Sequence, residues 1–488
     1  MSYPAGMIAH VFEGVGDVEL IEVIGEATRD ESTAIAQRLL GVGALYARRA
    51  VELAAWNTRR IDPTDEVAAE ISAAQNISHA RAVGQIGYGR ALCERLPAVA
   101  TVFARGVIDF RMVLTIIART HNVEDTVIAE VDAVIARHAE KWMKLSKPKL
   151  TDRIDLWVAT IDPAAVRVPP TVDDTRCLDV DPAPTGVGLA FVAGHVRAAD
   201  GAALDQRLAA LAATVCEHDP RTTNQRRADA CGPLARGEAT LACECGRDDC
   251  AAGAVRAAAA TAVIHVLAEH ATLEGTSDTP GYLPGFGILP AETVRQLAAT
   301  ATLTPVPIPT QTQPDPGYRP SAKTLEFLRW RDLTCRWPGC DKPARTSDID
   351  HTVPYPAGPT HPSNTKAYCR THHLIKTFCT GPRGWTDQQR PDGTIVLTAP
   401  TGHLYTTQPH GAAMFPALAQ PTGELHLPPH PVPPDTDRAA MMPRRRQTRD
   451  QDRRDRITAE RRQRTQLIAD QERQRRTWLA TNNQPPPF

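Results

Sequence analysis

The sequence predicts an α+β protein. A mainly helical N-terminal domain carries a small α+β part, and a compact, metal-pinned module follows near the C-terminus. Three observations predict this. Aromatic residues make up only 5% of the 488 residues while alanine, leucine and arginine abound, which favours helices over sheets. The 41 prolines gather in a few stretches and so mark linkers. Cysteine, histidine and acidic residues gather between Cys335 and His373, in a chain long enough for two or three domains.

From Ser32 to Pro163 the chain reads as consecutive helices, with apolar residues spaced at three and four. Thr64 stands in an N-cap position before "DEVAAEISAAQ", and a further helix starts at Ser78. The two could form a helix-turn-helix or, more simply, a helical hairpin in a bundle. After "VRVPPTVDD" the pattern changes. Thr185–Val196 and Thr261–His270 look like strands bracketing helices over Ala198–Cys216 and Asn224–Ala242, a small α+β part. The predicted organisation is therefore a domain over 1–300, a Pro-rich linker over 301–320, a module over 321–409, a second Pro-rich linker over 410–443 and an Arg-rich helical tail over 444–488.

The formal charge of −1 conceals an asymmetry. Between Arg444 and Arg476 thirteen arginines face six acids, a balance of +7, so the rest of the chain is near −8 (−1 minus 7). The pairs Asp450/Arg454, Asp452/Arg456, Glu460/Arg464 and Glu472/Arg476 are each four residues apart, which predicts one solvated helix able to touch phosphates. No apolar run approaches the roughly 20 residues of a membrane span. The start has no basic flank of the kind a signal peptide carries, so a cytoplasmic address is expected. In that compartment the eleven cysteines read as free thiols or metal ligands rather than disulfides.

Cys335 and Cys340 flank a tight knuckle at Pro338 and Gly339, and Cys369 and His372 form a second short-spaced pair. Two such pairs separated by 28 residues fit a tetrahedral Cys3His zinc site. That site leaves Asp350, His351, Asn364 and His373 unexplained. Adjacent His372 and His373 point about 100° apart on a helix and can serve separate sites. Asp350 and His351 belong to a short strand, and Asn364 to the turn before the helix, so zinc could gather all four at one cleft. Lys376, one turn beyond His373, reads as a phosphate contact or a solvated lysine, and His361 as a solvated turn histidine. Cys243, Cys245 and Cys250 could bind a second zinc, with Cys231, His265 or His270 as the fourth ligand.

Asp350-His351, Asn364 and His373, with their two Cys/His pairs, resemble the HNH endonuclease motif. The longer spelling "CRWPGCDKPA…DIDHTVPYPAGPTHPSN…CRTHHLIKTF", matching from about Cys335 to Tyr405, is similar to the mycobacterial 13E12 repeat family. Members of that family join such a module to a helical domain of unknown function 222. The resemblance implies a zinc-pinned ββα-metal fold and metal-dependent hydrolysis of DNA phosphodiesters. His351 would be the general base, Asp350 and His373 would hold Mg²⁺ or a similar divalent cation, and Asn364 would orient the loop and His351. Cleavage in the family leaves a 5′-phosphate. Thr365 departs from the pattern, since many relatives have an apolar residue there. A non-cleaving DNA-binding or interaction protein of mobile-element origin is the alternative expectation, and an RNA-directed nuclease a third.

Overall fold

A computed structural model describes residues 12, 14–54, 62–168, 176–183, 188–196, 198–250, 265–284, 287–299, 301–310, 313–379, 384–425, 443 and 446–482. The protein is mainly helical with small sheets, and it divides into two compact units: residues 1–168 with 306–488, and residues 169–305. Among the described residues no helix is long and apolar enough to cross a membrane.

The described residues of the first unit include the α-helices α1 (Asp17–Ala54), α2 (Pro63–Gln75), α3 (His79–Arg90), α4 (Pro97–Ala104), α5 (Phe110–Arg119), α6 (Ile128–Trp142) and α7 (Lys147–Ile161). The cap of α2 is Asp62 and not Thr64. Its carboxylate accepts the Thr64 N–H at 2.8 Å, and Pro63 fills the first helical position, where no N–H is needed. Ser78 caps α3 as the sequence suggests, accepting the Arg81 N–H at 3.4 Å. Helices α1 and α3 cross with backbones touching. A Cβ on Gly89 would lie 2.5 Å from the Leu39 carbonyl, and one on Gly43 2.8 Å from the Gly89 carbonyl. Leu92, Phe103, Val113, Ile116, Val131 and Ile154, all buried, are among the residues that fill the core beneath.

The C-terminal part of this unit runs α8 (Ala322–Asp332), β1 (Asp348–His351), β2 (Thr365–Tyr368), α9 (Arg370–Phe378), β3 (Thr386–Gln389), β4 (Ile395–Thr398) and β5 (Leu404–Thr407). Strands β1 and β2 pair antiparallel, with Asp350 opposite Lys366 and His351 opposite Thr365. Strands β3, β4 and β5 form a three-stranded antiparallel sheet. Buried Asp332 ties α8 to this module: it pairs with Arg331 (2.8 Å) and Arg336 (3.3 Å) and accepts the Ala367 N–H at 2.8 Å.

This part packs directly on α2 and α3. Ala69 and Ala73 share a core with Trp337, Cys335, Cys369 and Trp385. The Trp337 indole donates to the Ala69 carbonyl at 3.4 Å. Gly339 (φ +72°) sits so close to Ile77 that a Cβ would come within 2.4 Å of its carbonyl. The α2–α3 pair is thus a helical hairpin whose turn is covered by the knuckle, and α2 is buried along most of its length.

The tail helix α10 (Arg449–Asn482) forms, but only one of the expected pairs does so side chain to side chain, Glu472 with Arg476 at 2.7 Å. Two of the other acids, Asp450 and Glu460, and two arginines reach partners on the bundle. Arg449 binds Asp62 and Asp65 (2.7 and 2.6 Å), Arg461 binds Asp162 and Glu124 (2.7 and 3.0 Å), Glu460 binds Arg167 (2.7 Å) and Asp450 binds Arg90 (2.9 Å). The first half is docked on the bundle by one face while its other face stays exposed, because Asp62, Asp65, Glu124 and Asp162 complement its arginines.

The second unit holds two hairpins, Cys177–Pro182 with Ala190–His195 and Gly281–Leu283 with Gly287–Leu289, among short helices. The strand expected over Thr185–Val196 is realised at Ala190–His195. Of Thr261–His270, residues 261–264 lie outside the described residues; Leu267 makes a single bridge to Tyr282, and a helix starts at His270. The helix expected over Asn224–Ala242 is two shorter ones, Thr223–Asp229 and Cys231–Ala235.

Candidate metal centres and the adjoining cleft

Cys335, Cys340, Cys369 and His372 converge, with donor atoms all within 4.8 Å of one another. All four are buried, His372 completely. His372 Nδ1 lies 3.5 Å from Cys335 Sγ and 3.3 Å from Cys369 Sγ. Zinc bonds of about 2.3 Å to sulfur and 2.0–2.1 Å to nitrogen give a tetrahedral edge of about 3.5 Å, so the donors fit that ion. The thiol chemistry agrees. Hydrogen bonds from the Cys335 and Cys340 thiols, helped by His372, hold Cys369 well below the usual range, whereas burial and then its thiol neighbours push Cys335 well above it. Buried side by side, the thiols oppose one another's ionisation; a dication would let every thiol ionise. Trp337 stacks on the His372 ring (4.6 Å between centroids, 4° between planes) and fixes its orientation.

A second group, Cys216, Cys243, Cys245 and Cys250, also brings its sulfurs within 4.8 Å. The fourth member is Cys216, 3.5 Å from Cys243, rather than Cys231, His265 or His270. Cys231 is instead near the Arg227 carbonyl, and His270 pairs with Glu274 at 3.3 Å. Asp219 staples the two cysteine segments, pairing with Arg221 at 2.8 Å and accepting the Glu244 N–H at 3.0 Å. Burial pushes Cys216 up to about 12, while a hydrogen bond from the Cys216 backbone brings Cys243 down to about 7. Cys216 ends the helix that the sequence placed over Ala198–Cys216; no short spacing ties it to the others. Both clusters can hold a metal such as zinc.

Beside the first cluster, His373 points away from the cysteines, as a one-residue step around α9 requires. Its Nδ1 lies 2.8 Å from Asp348 Oδ2 and its Nε2 3.6 Å from Asp350 Oδ1. A carboxylate only accepts, so His373 donates from Nδ1 to Asp348, and in its neutral form the ring would turn a lone pair at Nε2 toward Asp350. At 3.6 Å this is no hydrogen bond. In that neutral form two acceptors would face one another across the gap, an arrangement that takes a cation, with Asp348 as the outer carboxylate that orients the imidazole.

The other oxygen of Asp350 is occupied. Its Oδ2 accepts from Lys366 Nζ and Lys376 Nζ, both at 2.8 Å. Burial acts to raise Asp350, but Lys366 and Lys376, with His373, prevail and hold its carboxyl well below the usual range. Asp387 completes the group, 2.7 Å from Lys366 and 3.7 Å from Lys376. Lys376, read from sequence as a phosphate contact or a solvated lysine, is neither: its side chain is 7% exposed and its ammonium turns inward. Its helix face points at the hairpin carboxylates.

His351 is buried, its ring stacked on Tyr318 (5.2 Å, 18°). Thr360 Oγ1 donates to the Tyr318 carbonyl at 3.2 Å and lies 2.8 Å from His351 Nε2. The hydroxyl has one proton, so His351 donates from Nε2 and its Nδ1 carries the lone pair. Burial pushes His351 down to about 4, against Asp350 and with the help of the two lysines, so the ring is neutral at pH 7. Asn364 is fully buried. It accepts the Val353 N–H at 2.9 Å and donates to the Val353 and Pro359 carbonyls at 3.0 and 2.9 Å, closing the loop that carries Thr360. His361 is 1% exposed and not a solvated turn residue; its Nδ1 accepts the Ser363 N–H at 3.1 Å and braces the same loop. Sequence reasoning passed over Asp348, Thr360, Lys366, Asp387 and Tyr318. Only the β1–β2 register, which sets Lys366 opposite Asp350, could have found Lys366.

Relatives with similar sequence occur in Mycobacterium tuberculosis. "Uncharacterized protein Rv3776" is 42% identical over 462 residues, covering 89% of this chain and 87% of its own length. "Uncharacterized protein Rv2100" is 40% identical over 548 aligned positions, covering all of this chain and 95% of its own. "Uncharacterized protein in est 3'region" is 38% identical over 338 residues, 64% of this chain and 95% of its own. No solved structure matches the chain. With a family profile matching residues 26–332 and relatives aligned along most of its length, the chain belongs to the family described as "Domain of unknown function (DUF222)".

Proposed function

We propose that the protein is a metal-dependent endonuclease of HNH type that hydrolyses DNA phosphodiesters. The observation that carries this reading is the 3.6 Å gap between Asp350 Oδ1 and His373 Nε2, two lone-pair donors when the His373 ring is neutral, on a strand that also carries the neutral imidazole of His351. The order of elements supports it too: an antiparallel hairpin is followed by a helix, with a Cys/His cluster at their junction, as a ββα-metal module would require.

In this reading His351 takes a proton from water at Nδ1. Its Nε2–H stays on Thr360, which fixes the tautomer, and Tyr318 fixes the ring plane. Asp350 and His373 would hold a Mg²⁺-like ion, which supplies charge neutralisation at the scissile phosphate and its departing oxygen. Asp348 holds His373 in the tautomer that leaves Nε2 free. Asn364 keeps the loop closed so that Thr360 stays under His351. The zinc ligands keep β1 and α9 in register, so that Asp350 and His373 meet.

A second reading, a DNA-binding or interaction protein that does not cut, is favoured by one observation: His351 is covered by Tyr318 while Asp350 is already paired with two ammonium groups. Incubating zinc-loaded protein with supercoiled plasmid and Mg²⁺, Mn²⁺ or EDTA, beside a His351→Ala variant, separates the two. Cation-dependent nicking that the variant lacks supports the nuclease. Plasmid binding by both proteins without nicking by either supports the binding module.

A further inference from the structure

The cluster behind Asp350 is more than the nuclease reading needs. Lys366 is completely buried and donates to Asp350 Oδ2 (2.8 Å) and Thr352 Oγ1 (2.9 Å), and it pairs with Asp387 (2.7 Å). The Lys376 ammonium is surrounded by Asp350 Oδ2 (2.8 Å), the His351 carbonyl, the Thr352 carbonyl (3.4 Å) and Asp387 Oδ1 (3.7 Å). This is an all-oxygen cage around a cation the chain supplies itself. Two carboxylates and two ammonium groups leave the cluster neutral, so the carboxylate expected to attract a divalent ion has its charge already compensated.

We infer that Lys366 and Lys376 are positioning residues that hold Asp350 one-sided and suppress loading of the divalent cation until a phosphodiester occupies the cleft. The inference rests on the nuclease reading and deepens it. Donation to Oδ2 turns Oδ1 toward His373, so Asp350 presents one oxygen and cannot chelate with both. The two ammonium charges repel a dication placed at Oδ1, inside a region too buried for salt to screen them fully. A phosphodiester adds a negative charge on the far side of that dication and offsets the repulsion. Cation and nucleic acid then bind cooperatively, and by linkage each raises the affinity of the other by the same factor. A purely structural role for the lysines predicts no such coupling.

The test is calorimetric titration of Mn²⁺ into the zinc-loaded full chain without DNA. Lys376→Gln is expected to bind Mn²⁺ about tenfold tighter than the unsubstituted protein, or tighter still. Lys376→Arg, which keeps the charge, should stay within about twofold of it. Asp350→Asn should lose the site. Circular dichroism checks the fold, and Lys376→Met, similar in length and uncharged, gives the same reading if the glutamine variant does not fold. In a His351→Ala background, which prevents turnover, a short DNA duplex is expected to tighten Mn²⁺ binding about tenfold, and by a smaller factor once Lys376→Gln is added. Equal or weaker Mn²⁺ binding by the folded Lys376→Gln and Lys376→Met proteins, with the site still lost in Asp350→Asn, overturns the inference and leaves the nuclease reading standing. Failure of every protein to bind Mn²⁺, with or without duplex, overturns both.

Discussion

Stripping metal from the Cys335/Cys340/Cys369/His372 cluster should unfold the module around it, not merely loosen it. Zinc bound to small Cys/His peptides contributes an apparent 10–16 kcal/mol or thereabouts at neutral pH, whereas whole domains are stable by only about 5–15 kcal/mol. The local core is thin. Besides the cysteines it comprises Trp337, Tyr368, Ile375, Trp385, Ile395, Leu397 and Ala399, with Ala69 and Ala73 contributed by α2. Without the ion, three thiols and an imidazole remain buried together with no cation to hold them. Trp337 and Trp385 are 1% and 3% exposed, and Trp337 stacks on His372, so tryptophan emission reports on the centre. Cys369→Ser should lower the zinc content by one per chain, a high-affinity zinc chelator should empty the same site, and either should shift the emission to the red. The shift should accompany a lower melting temperature, and restoring zinc should reverse it in the chelated protein. A metal-free protein with native emission and an unchanged melt would refute the reasoning.

Three further outcomes follow from the same geometry. Asp332→Ala leaves the Arg331 and Arg336 guanidinium groups buried without their carboxylate, and should cost about 3–5 kcal/mol in urea denaturation. Arg461→Ala removes the contacts to Asp162, Glu124 and the Asn122 carbonyl, and should cost about 1–2 kcal/mol while raising amide exchange along the first half of α10. His121 is pushed down to about 4 by burial, then by Arg453, Arg167 and Arg95. Its folded pKa lies below the unfolded value of about 6.5, so the unfolded chain binds more protons between these limits and stability falls as pH drops from about 6.5 to 4. The ring is partly solvated, which leaves about 1–2 kcal/mol of this effect; Arg453→Ala should raise the His121 titration midpoint observed by NMR.

The legible part of this protein is what local spacing encodes. Two short Cys/His spacings named all four members of the first cluster, and the step of one residue between His372 and His373 separated two destinations on one helix. Helical periodicity located the bundle and the tail. What sequence could not encode was partnership across distance. Cys216 lies 27 residues from Cys243 and is brought to it by the Asp219–Arg221 staple. Lys366 and Lys376 look like ordinary surface lysines until the hairpin register and the helix face turn them onto Asp350. The pairs drawn along α10 at four-residue spacing assumed a helix in water; Glu472–Arg476 formed, whereas Asp450 and Glu460 turned to Arg90 and Arg167 on the bundle. Asp62 rather than Thr64 is the cap because Pro63 holds the residue before it extended, as an N-cap is, and itself takes the first helical position.

The most direct measurement is single-turnover cleavage of a labelled DNA strand in duplex form, with zinc content verified, by the unsubstituted chain, His351→Ala and Asp350→Asn. The account predicts cation-dependent cutting that leaves 5′-phosphate ends, slowed about 10²-fold or more by either substitution while the protein still binds the duplex. Cutting at an undiminished rate by folded His351→Ala, or no cutting at all by the zinc-loaded chain under any divalent cation, would contradict it.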